Sequence, residues 1–353
     1  MEAMIAQPTV LQERWDAYKK QNLKARTRDA ARALGVAECQ LLALGCGNGV
    51  TRLTGDWKEL LKQFEELGYV MALTRNEHAV HEKKGLYREV SFEGEMGMAL
   101  DKDIDLRLFM WHWEKGFAVE EDVTRGKRYS FQFFDQYGEA MHKVYLQEGS
   151  NTEEFKRLRD EWKSNDQSQE ERVHKKGPHT SPVPDEEIDV EAMLEDWKNM
   201  TNTHEFVRLL KKHNVARTQA LRLVGKEFAR PVDHTTAHRF LLKRAADTKT
   251  SIMIFVGSPG CVQIHTGEVN RLLATEAWFN VLDPTFNLHL RERGIKEAWI
   301  VRKPTSEGIV TSLELFDENG ETIVIFFGSR KETVSENPAW REIISELEDG
   351  GNA

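Results

Sequence analysis

The first residues whose types and spacing could do chemistry form a glycine-rich segment, Gly45-Cys46-Gly47-Asn48-Gly49. In an S-adenosylmethionine or nucleotide site, such a loop follows a strand, precedes a helix, and is served by an acidic residue after the next strand. Here the preceding residues, 26–40, have a helical pattern, and the next apolar run ends in Thr74-Arg75-Asn76 without a carboxylate. The pattern favours a plain connection and leaves a methyltransferase as a remote alternative.

Histidines could also do chemistry. His78 and His81 could form a metal pair, but they follow an apolar run typical of a strand, and no third ligand is evident although zinc needs three or four. His204 follows the cap-forming residues Thr201-Asn202-Thr203 and opens a helical run, which predicts its place in the first helical turn. A neutral imidazole there could ligate iron, and the alternative is a solvent-facing histidine.

Cations end several predicted elements of the second half of the chain. Arg217 opens a helix, Lys303 comes two residues after the apolar run 298–301, and Arg330 follows the last strand. Such a cluster suits a ligand with two carboxylates, because an arginine can bind a carboxylate bidentately. The alternative is three unrelated surface charges.

Arg107 and Phe109 lie in an alternating strand pattern of residues 104–109. The alternation places them together with Asp105 on one face of the strand. An exposed Asp–Arg pair is the simple interpretation, but Phe109 on the same face argues against plain solvation.

These residues must be positioned by two similar halves. The segment Phe134-Asp135-Gln136-Tyr137-Gly138-Glu139 resembles Phe316-Asp317-Glu318-Asn319-Gly320-Glu321, and the offset from Phe134 to Phe316 also aligns glycines, aspartates and apolar positions without a gap from Met71 onward. A second similarity, Ala25-Arg26-Thr27 with Ala216-Arg217-Thr218, has an offset of 191. We predict in each half a helical segment, residues 11–43 and 190–242, followed by strands that include a hairpin.

The predicted fold class is therefore α+β, a tandem structural repeat in which each half is a large antiparallel sheet with helices clustered at one end. The predicted domains are an N-terminal repeat (1–162), a polar linker (163–189) and a C-terminal repeat (190–353). The linker segment is charged and contains three prolines, so we expect no core there.

Composition excludes several classes of protein. The 353 residues are 40% hydrophobic and 30% charged, as in ordinary globular proteins of about two domains. No apolar run is long enough to span a membrane, and the net charge of −9 argues against a nucleic-acid partner. Three scattered cysteines and the lack of a secretory leader indicate the cytoplasm.

Several motifs together resemble the bacterial hemin-degrading factor family, the HemS/ChuS-like haem proteins of the cytoplasm. The resemblance runs over nearly the whole chain. Its motifs are Arg75-Asn76-Glu77-x-Ala79-Val80-His81-Glu82, Asp105-Leu106-Arg107-Leu108-Phe109, Phe133-Phe134-Asp135, Met200-Thr-Asn-Thr-His204, Trp299-Ile-Val-Arg-Lys303-Pro-Thr and Ser312-Leu-Glu-x-Phe-Asp317.

The resemblance implies a haem site and assigns roles to its residues. His204 would be the axial ligand of the haem iron, so the C-terminal repeat would contain the ligand of the haem site. Arg107 would act on the distal side, with Phe109 in the pocket. The haem propionates would be bound by basic residues that match Arg217, Lys303 and Arg330.

The sequence departs from the family pattern at some of these positions. Some members have tyrosine and glutamine where Val324 and Ile325 stand, and a phenylalanine where Val207 stands. A second haem site near His81 is conceivable, but its spacing does not favour one.

Two functions follow from the resemblance. In the first, the chain is a haem-degrading, haem oxygenase-like oxidoreductase of haem-iron utilisation. Arg107 and His204 would be its catalytic residues, and electrons would come from an external donor such as NADH. In the second, it is an iron-transport carrier that passes haem from a transporter to a separate haem oxygenase.

Overall fold

The computed structural model describes residues 3–5, 7–23, 25–124, 126–177, 181–330 and 336–350. The first half of the chain contains short helices, antiparallel strands and two 3-10 turns (Gln63–Leu67, Met110–His112). Its helices are α1 (Pro8–Gln21), α2 (Thr27–Leu34), α3 (Glu38–Ala43), α4 (Trp57–Lys62) and α5 (Thr152–Glu161). Its strands are β1 (Ala3–Ile5), β2 (Val50–Leu53), β3 (Val70–Arg75), β4 (Ala79–Gly85), β5 (Ser91–Glu93), β6 (Met96–Leu100), β7 (Asp105–Phe109), β8 (Lys115–Val123), β9 (Gly126–Phe134), β10 (Ala140–Leu146) and β11 (Arg172–His174).

The second half has the same plan, with 3-10 turns at Asp185–Glu187 and Glu292–Gly294. Its helices are α6 (Val190–Lys198), α7 (Glu205–Lys212), α8 (Arg217–Leu223), α9 (Ala237–Asp247) and α10 (Pro338–Glu348). Its strands are β12 (Ala229–Pro231), β13 (Ile252–Ser258), β14 (Cys261–Gly267), β15 (Leu272–Ala274), β16 (Trp278–Leu282), β17 (Phe286–Arg291), β18 (Glu297–Thr305), β19 (Gly308–Phe316) and β20 (Thr322–Gly328).

The structural repeat has the register predicted for the strands. The strands β4, β6, β8, β9 and β10 recur as β14, β16, β18, β19 and β20, and both ends of every pair keep the offset that relates Phe134 to Phe316. Both predicted hairpins form, with β9 paired to β10 and β19 paired to β20 in antiparallel ladders. The predicted α+β class, built as a tandem structural repeat, is confirmed.

The predicted register of the helices is wrong. In α3 and α8 the helix follows an alanine, Ala37 or Ala216, whose backbone N–H donates to the side chain of a glutamine three residues on, Gln40 or Gln219. The offset between these matching helix starts is smaller than the predicted one, and β2 and β12 begin with the same smaller offset. The predicted offset rested on three similar residues, whereas the shared capping geometry fixes the true correspondence.

The chain divides into two compact units that depart from the predicted domains. Unit 1 comprises Met1–Arg75, Glu82–Pro178 and Ser258–Gln263, and unit 2 comprises Asn76–His81, His179–Gly257 and Ile264–Ala353. Each unit therefore includes a short segment from the other half of the sequence. The two exchanged segments, 76–81 and 258–263, are repeat counterparts, since the offset of the strands relates them end to end.

In unit 1 the strand order is β3-β10-β9-β8-β2, and neighbouring strands run antiparallel. The strands turn aromatic side chains such as Phe131 and Phe133 into a core that also contains Phe64 and Phe155 from the 3-10 turn after α4 and from α5. The imidazole of His142 is buried in this unit, and its Nδ1 lies 2.8 Å from the hydroxyl of Thr74. Burial lowers the pKa of His142 to about 3, so the ring is neutral.

In unit 2 the order β12-β18-β19-β20-β13 forms one antiparallel arrangement, and β15-β16-β17 forms another. One apolar cluster joins the strands to α9 and α10. A second cluster packs α6, α7 and α8 against β18 and β19 through Trp197, Phe206, Trp299, Val301 and Phe316. This second cluster supports the elements that carry His204, Arg217 and Lys303.

The described residues of the predicted linker (163–189), which are 163–177 and 181–189, contain more structure than its polar composition predicts. It contains β11, which pairs with β1, and it buries Val173 and Glu171 in unit 1 and Ile188 in unit 2. Arg52 forms an ion pair with the buried Glu171, so this carboxylate has a charge partner. The polar composition of the segment gave no sign of this pair. The boundary between the units falls inside this segment.

Candidate functional site

His204 occupies the N-cap position of α7, one residue before the first helical turn in which we expected it. Its side chain is exposed, and its backbone N–H donates to the Asn202 side chain over 3.1 Å. The carboxylate of Glu205 accepts hydrogen bonds from both the N–H and the hydroxyl of Thr201, each 2.9 Å long. The loop before α7 is thus fixed by its own side chains, which presents the imidazole on a rigid turn.

An apolar side chain stands beside this imidazole. Val207 follows His204 by three residues and is 53% exposed. Residues three apart on a helix lie on the same face, so the start of α7 offers a nitrogen ligand on the same face as an exposed apolar side chain. Val207 is one of the positions at which the sequence departs from the family pattern.

The interior side of α7 meets a buried charge cluster, which we define as Arg217, Lys303 and Glu314. Glu314 on β19 is completely buried, Lys303 on β18 is 3% exposed, and the Arg217 side chain at the start of α8 is 21% exposed. Glu314 Oε2 lies 2.8 Å from Nε and 2.7 Å from Nη2 of Arg217, and its Oε1 lies 2.5 Å from Nζ of Lys303. The Ser312 hydroxyl donates a further hydrogen bond to the same carboxylate.

The electrostatics of the cluster favour its ionised form. Burial by itself raises the pKa of Glu314, but Arg217 and Lys303 outweigh it and lower that pKa to about 2. Burial lowers the pKa of Lys303 to about 8, although Glu314 opposes the shift. At neutral pH the cluster therefore holds two positive charges and one negative charge.

Phe206 connects the cluster to the histidine. Its ring is buried on the first turn of α7, two residues after His204. The guanidinium carbon of Arg217 lies 5.0 Å and Nζ of Lys303 lies 4.5 Å from the ring centroid. Two of the three predicted cations thus converge beneath the helical turn that carries the predicted iron ligand.

Arg330, the third predicted cation, is half-buried just after β20 in unit 2. Burial raises the pKa of Glu336, and hydrogen bonds from Thr311 and the charges of Arg341 and Arg330 oppose the rise. The residues between Arg330 and Glu336 lie outside the described part of the chain. The role of Arg330 stays a prediction.

Arg107 and Phe109 lie on β7 in unit 1, on one strand face as predicted. Arg107 is ion-paired with Asp105 and donates to the Leu106 carbonyl over 3.1 Å. Around them Met96, Met98 and Trp111 are 55%, 40% and 56% exposed, and the Trp111 ring lies 5.4 Å from that of Phe109. Arg107 thus belongs to an exposed face that is largely apolar, and its role in a haem pocket stays a prediction.

The alternative metal pair receives no support. His81 lies in β4, not in a helix, and its ring is fully buried 4.9 Å from that of Phe286. The described residues contain no group of three or more His, Cys, Asp or Glu that could hold a metal ion. A buried imidazole is inaccessible to haem, so a second haem site at His81 gains no support either.

The glycine-rich segment is a tight connection between α3 and β2, as its sequence context favoured. A Cβ on Gly49, whose φ is +82°, would lie 2.6 Å from the backbone oxygen of Glu120. Glycine is therefore required by packing, and the strand–loop–helix context of an S-adenosylmethionine site is missing. Burial also raises the pKa of the Cys46 thiol, so it is not an activated nucleophile.

A comparison with known protein families also shows the repeat, because one family model matches each half of the chain. The family model described as "Haemin-degrading HemS.ChuX domain" matches the chain twice, at residues 35–162 and 214–347. The hemin transport protein HemS of Yersinia enterocolitica is 38% identical over 338 residues, which is 95% of this chain and 96% of that protein.

Solved structures agree over nearly the whole chain. Holo-PhuS, a heme-binding protein from Pseudomonas aeruginosa, has 44% identity and a TM-score of 0.94, with 97% of this chain and 99% of that chain covered. ChuS, described as an Escherichia coli heme oxygenase, has 36% identity and a TM-score of 0.85, covering 95% of this chain and 98% of its own.

Among the described residues, none of the helices has the length and apolar character needed to cross a membrane.

Proposed function

Because the chain belongs to the haemin-degrading HemS family, we propose that it binds haem through His204 and opens the porphyrin ring oxidatively to release iron. Haem would be the substrate, supplied by import into the cytoplasm. The electrons would come from an external reductant such as NADH, and O2 would be the oxidant.

The observation that carries this proposal is the arrangement at the start of α7. An exposed imidazole, an exposed valine on the same helix face, and the charge cluster around Phe206 on the first turn of α7 lie within one structural unit. Haem requires the same three features of a protein: a nitrogen ligand for its iron, apolar contact for its ring, and cations for its carboxylates.

Each side chain has a definite task in the proposal. The imidazole of His204 offers a nitrogen lone pair to iron. Arg217 binds a propionate, since its side chain is partly exposed and its guanidinium is held in place by the ion pair with Glu314. Arg107 is assigned by the family resemblance to donate hydrogen bonds on the distal side, since a guanidinium carries several N–H donors and no acceptor.

A second candidate function is a carrier that passes haem to a separate haem oxygenase. It is favoured by the similar proteins described as heme-binding and hemin transport proteins, of which PhuS is 44% identical and HemS 38% identical to this chain. The same His204 and cation cluster would serve a carrier, so turnover distinguishes the two functions.

Turnover is tested by mixing the purified protein with stoichiometric hemin and an excess of NADH or ascorbate, with catalase present to remove free peroxide. We expect the Soret band to decay with release of iron that a ferrous chelator captures. Arg107→Leu should slow the decay without loss of haem binding. A Soret band that persists while haem passes to an added haem oxygenase would support the carrier and refute the enzyme.

A further inference from the structure

We propose that Glu314 is a positioning residue that, together with buried Lys303, orients Arg217 to bind a haem carboxylate. The inference rests on the proposed function and gives a role to Glu314, which the sequence shows only as part of the motif that begins at Ser312. It also changes the expected task of Lys303 from a direct contact to a support.

The geometry assigns one edge of the guanidinium to Glu314. Oε2 of Glu314 lies 2.8 Å from Nε and 2.7 Å from Nη2 of Arg217, so that edge is occupied from inside the unit. A guanidinium has five N–H donors in a fixed plane. With Nε and one side of Nη2 bound to Glu314, the remaining N–H donors lie at the Nη1–Nη2 end of the plane. Because 21% of the Arg217 side chain is exposed, we infer that a carboxylate meets the guanidinium bidentately at that end.

Burial gives Lys303 a different task. Its Nζ is 2.5 Å from Glu314 Oε1 and 4.5 Å from the Phe206 ring centroid, and the residue is 3% exposed. An ammonium in this position does not reach a ligand outside the protein. It neutralises Glu314 instead, so the positive charge of Arg217 remains uncompensated for an incoming carboxylate.

The repeat provides a matched comparison in unit 1. Glu38 opens α3 at the position that corresponds to Arg217 in α8, and it is ion-paired with Arg75 and with Lys143, the latter over 2.6 Å. Its carboxylate and its lysine are also buried, and it also contains two cations around one carboxylate. Nothing in the proposed function involves Glu38, so it reports the purely structural effect of removing such a carboxylate.

The test compares hemin with hemin dimethyl ester, whose carboxylates are masked, in titrations of the full chain. The wild type should bind hemin more tightly than the ester. In Glu314→Gln this preference should fall about 10-fold, as expected for one charge-assisted interaction of about 1.4 kcal/mol, while the haem spectrum stays that of the wild type. Arg217→Ala should lose the same preference, and the double variant Glu314→Gln/Arg217→Ala should lose no more than either.

The control is Glu38→Gln, which should lose stability as Glu314→Gln does but keep the preference for hemin. If Glu314→Gln does not fold, the double variant Lys303→Met/Glu314→Gln removes both buried charges and should show the same loss of preference. A preference kept within about twofold in the folded variant would overturn the inference and leave the proposed function intact. A wild type that binds neither compound would overturn the proposed function itself.

Discussion

His204→Ala should lower the affinity for hemin by at least about 100-fold and change the absorption spectrum of any complex that still forms. The reason is that the substitution removes the proposed axial nitrogen, and even the outer-shell partners of metal ligands are worth about 10–100-fold in affinity. Titration followed at the Soret band measures both effects. The substitution should leave the fold intact, because the side chain is exposed.

The control for this variant is His234→Ala. His234 is a half-buried histidine of the same unit, three residues before α9, and it has no place in the proposed site. Its replacement should leave affinity and spectrum unchanged. If His204→Ala matches the wild type in both, the assignment of the ligand is wrong.

Trp197→Ala should destabilise unit 2 by about 3–5 kcal/mol, the usual cost of removing a buried aromatic side chain. Trp197 is fully buried on α6, its ring lies 4.9 Å from that of Phe206, and its Nε1 donates to the Arg302 carbonyl over 2.9 Å. It therefore supports both the first turn of α7 and the strand that carries Lys303. Hydrogen exchange of the α6 and α7 amides in urea measures the loss.

Trp111→Ala is the matched control, since Trp111 is 56% exposed in unit 1. Surface substitutions usually change stability by less than about 0.5 kcal/mol. A loss below about 1 kcal/mol for Trp197→Ala would contradict the packing described for α7. We also expect Trp197→Ala to weaken hemin binding, because the first turn of α7, which follows His204, loses the ring that packs against Phe206.

The strand repeat could be predicted because antiparallel strands leave a strict record in sequence. Alternating burial and turn glycines must keep their spacing, and an insertion of one residue would turn every side chain of a strand to the other face. The offset from Phe134 to Phe316 therefore predicts where the counterparts of β4, β6, β8, β9 and β10 begin and end in the second half. The start of a helix tolerates insertions in the preceding loop. A similarity of only three residues at Ala216 therefore predicts the wrong correspondence between the helices of the two halves.

The exchange of residues 76–81 and 258–263 could not be predicted. Those segments have ordinary strand and turn composition, and nothing in a sequence states which unit a segment packs into. The offset of the strands already pairs the two segments, but their exchange is visible only once the units are known.

Part of the candidate site could be predicted from residue type and position. Arg217 and Lys303 were found as cations at the ends of elements, but their shared partner Glu314 was not. Its signal was present, since a glutamate stands between Leu313 and Leu315, in a strand whose neighbouring side chains are buried. A carboxylate in such a strand requires buried cations, and that inference depends on knowing which strands are neighbours.

The most direct test of the central claim is titration of the wild-type chain with hemin under anaerobic conditions without reductant. We expect saturation at one hemin per chain, with a shifted Soret band and the magnetic and vibrational signature of histidine-ligated iron, both lost in His204→Ala. A solution that keeps the spectrum of free hemin throughout, or a complex whose iron is ligated equally without His204, would contradict the account.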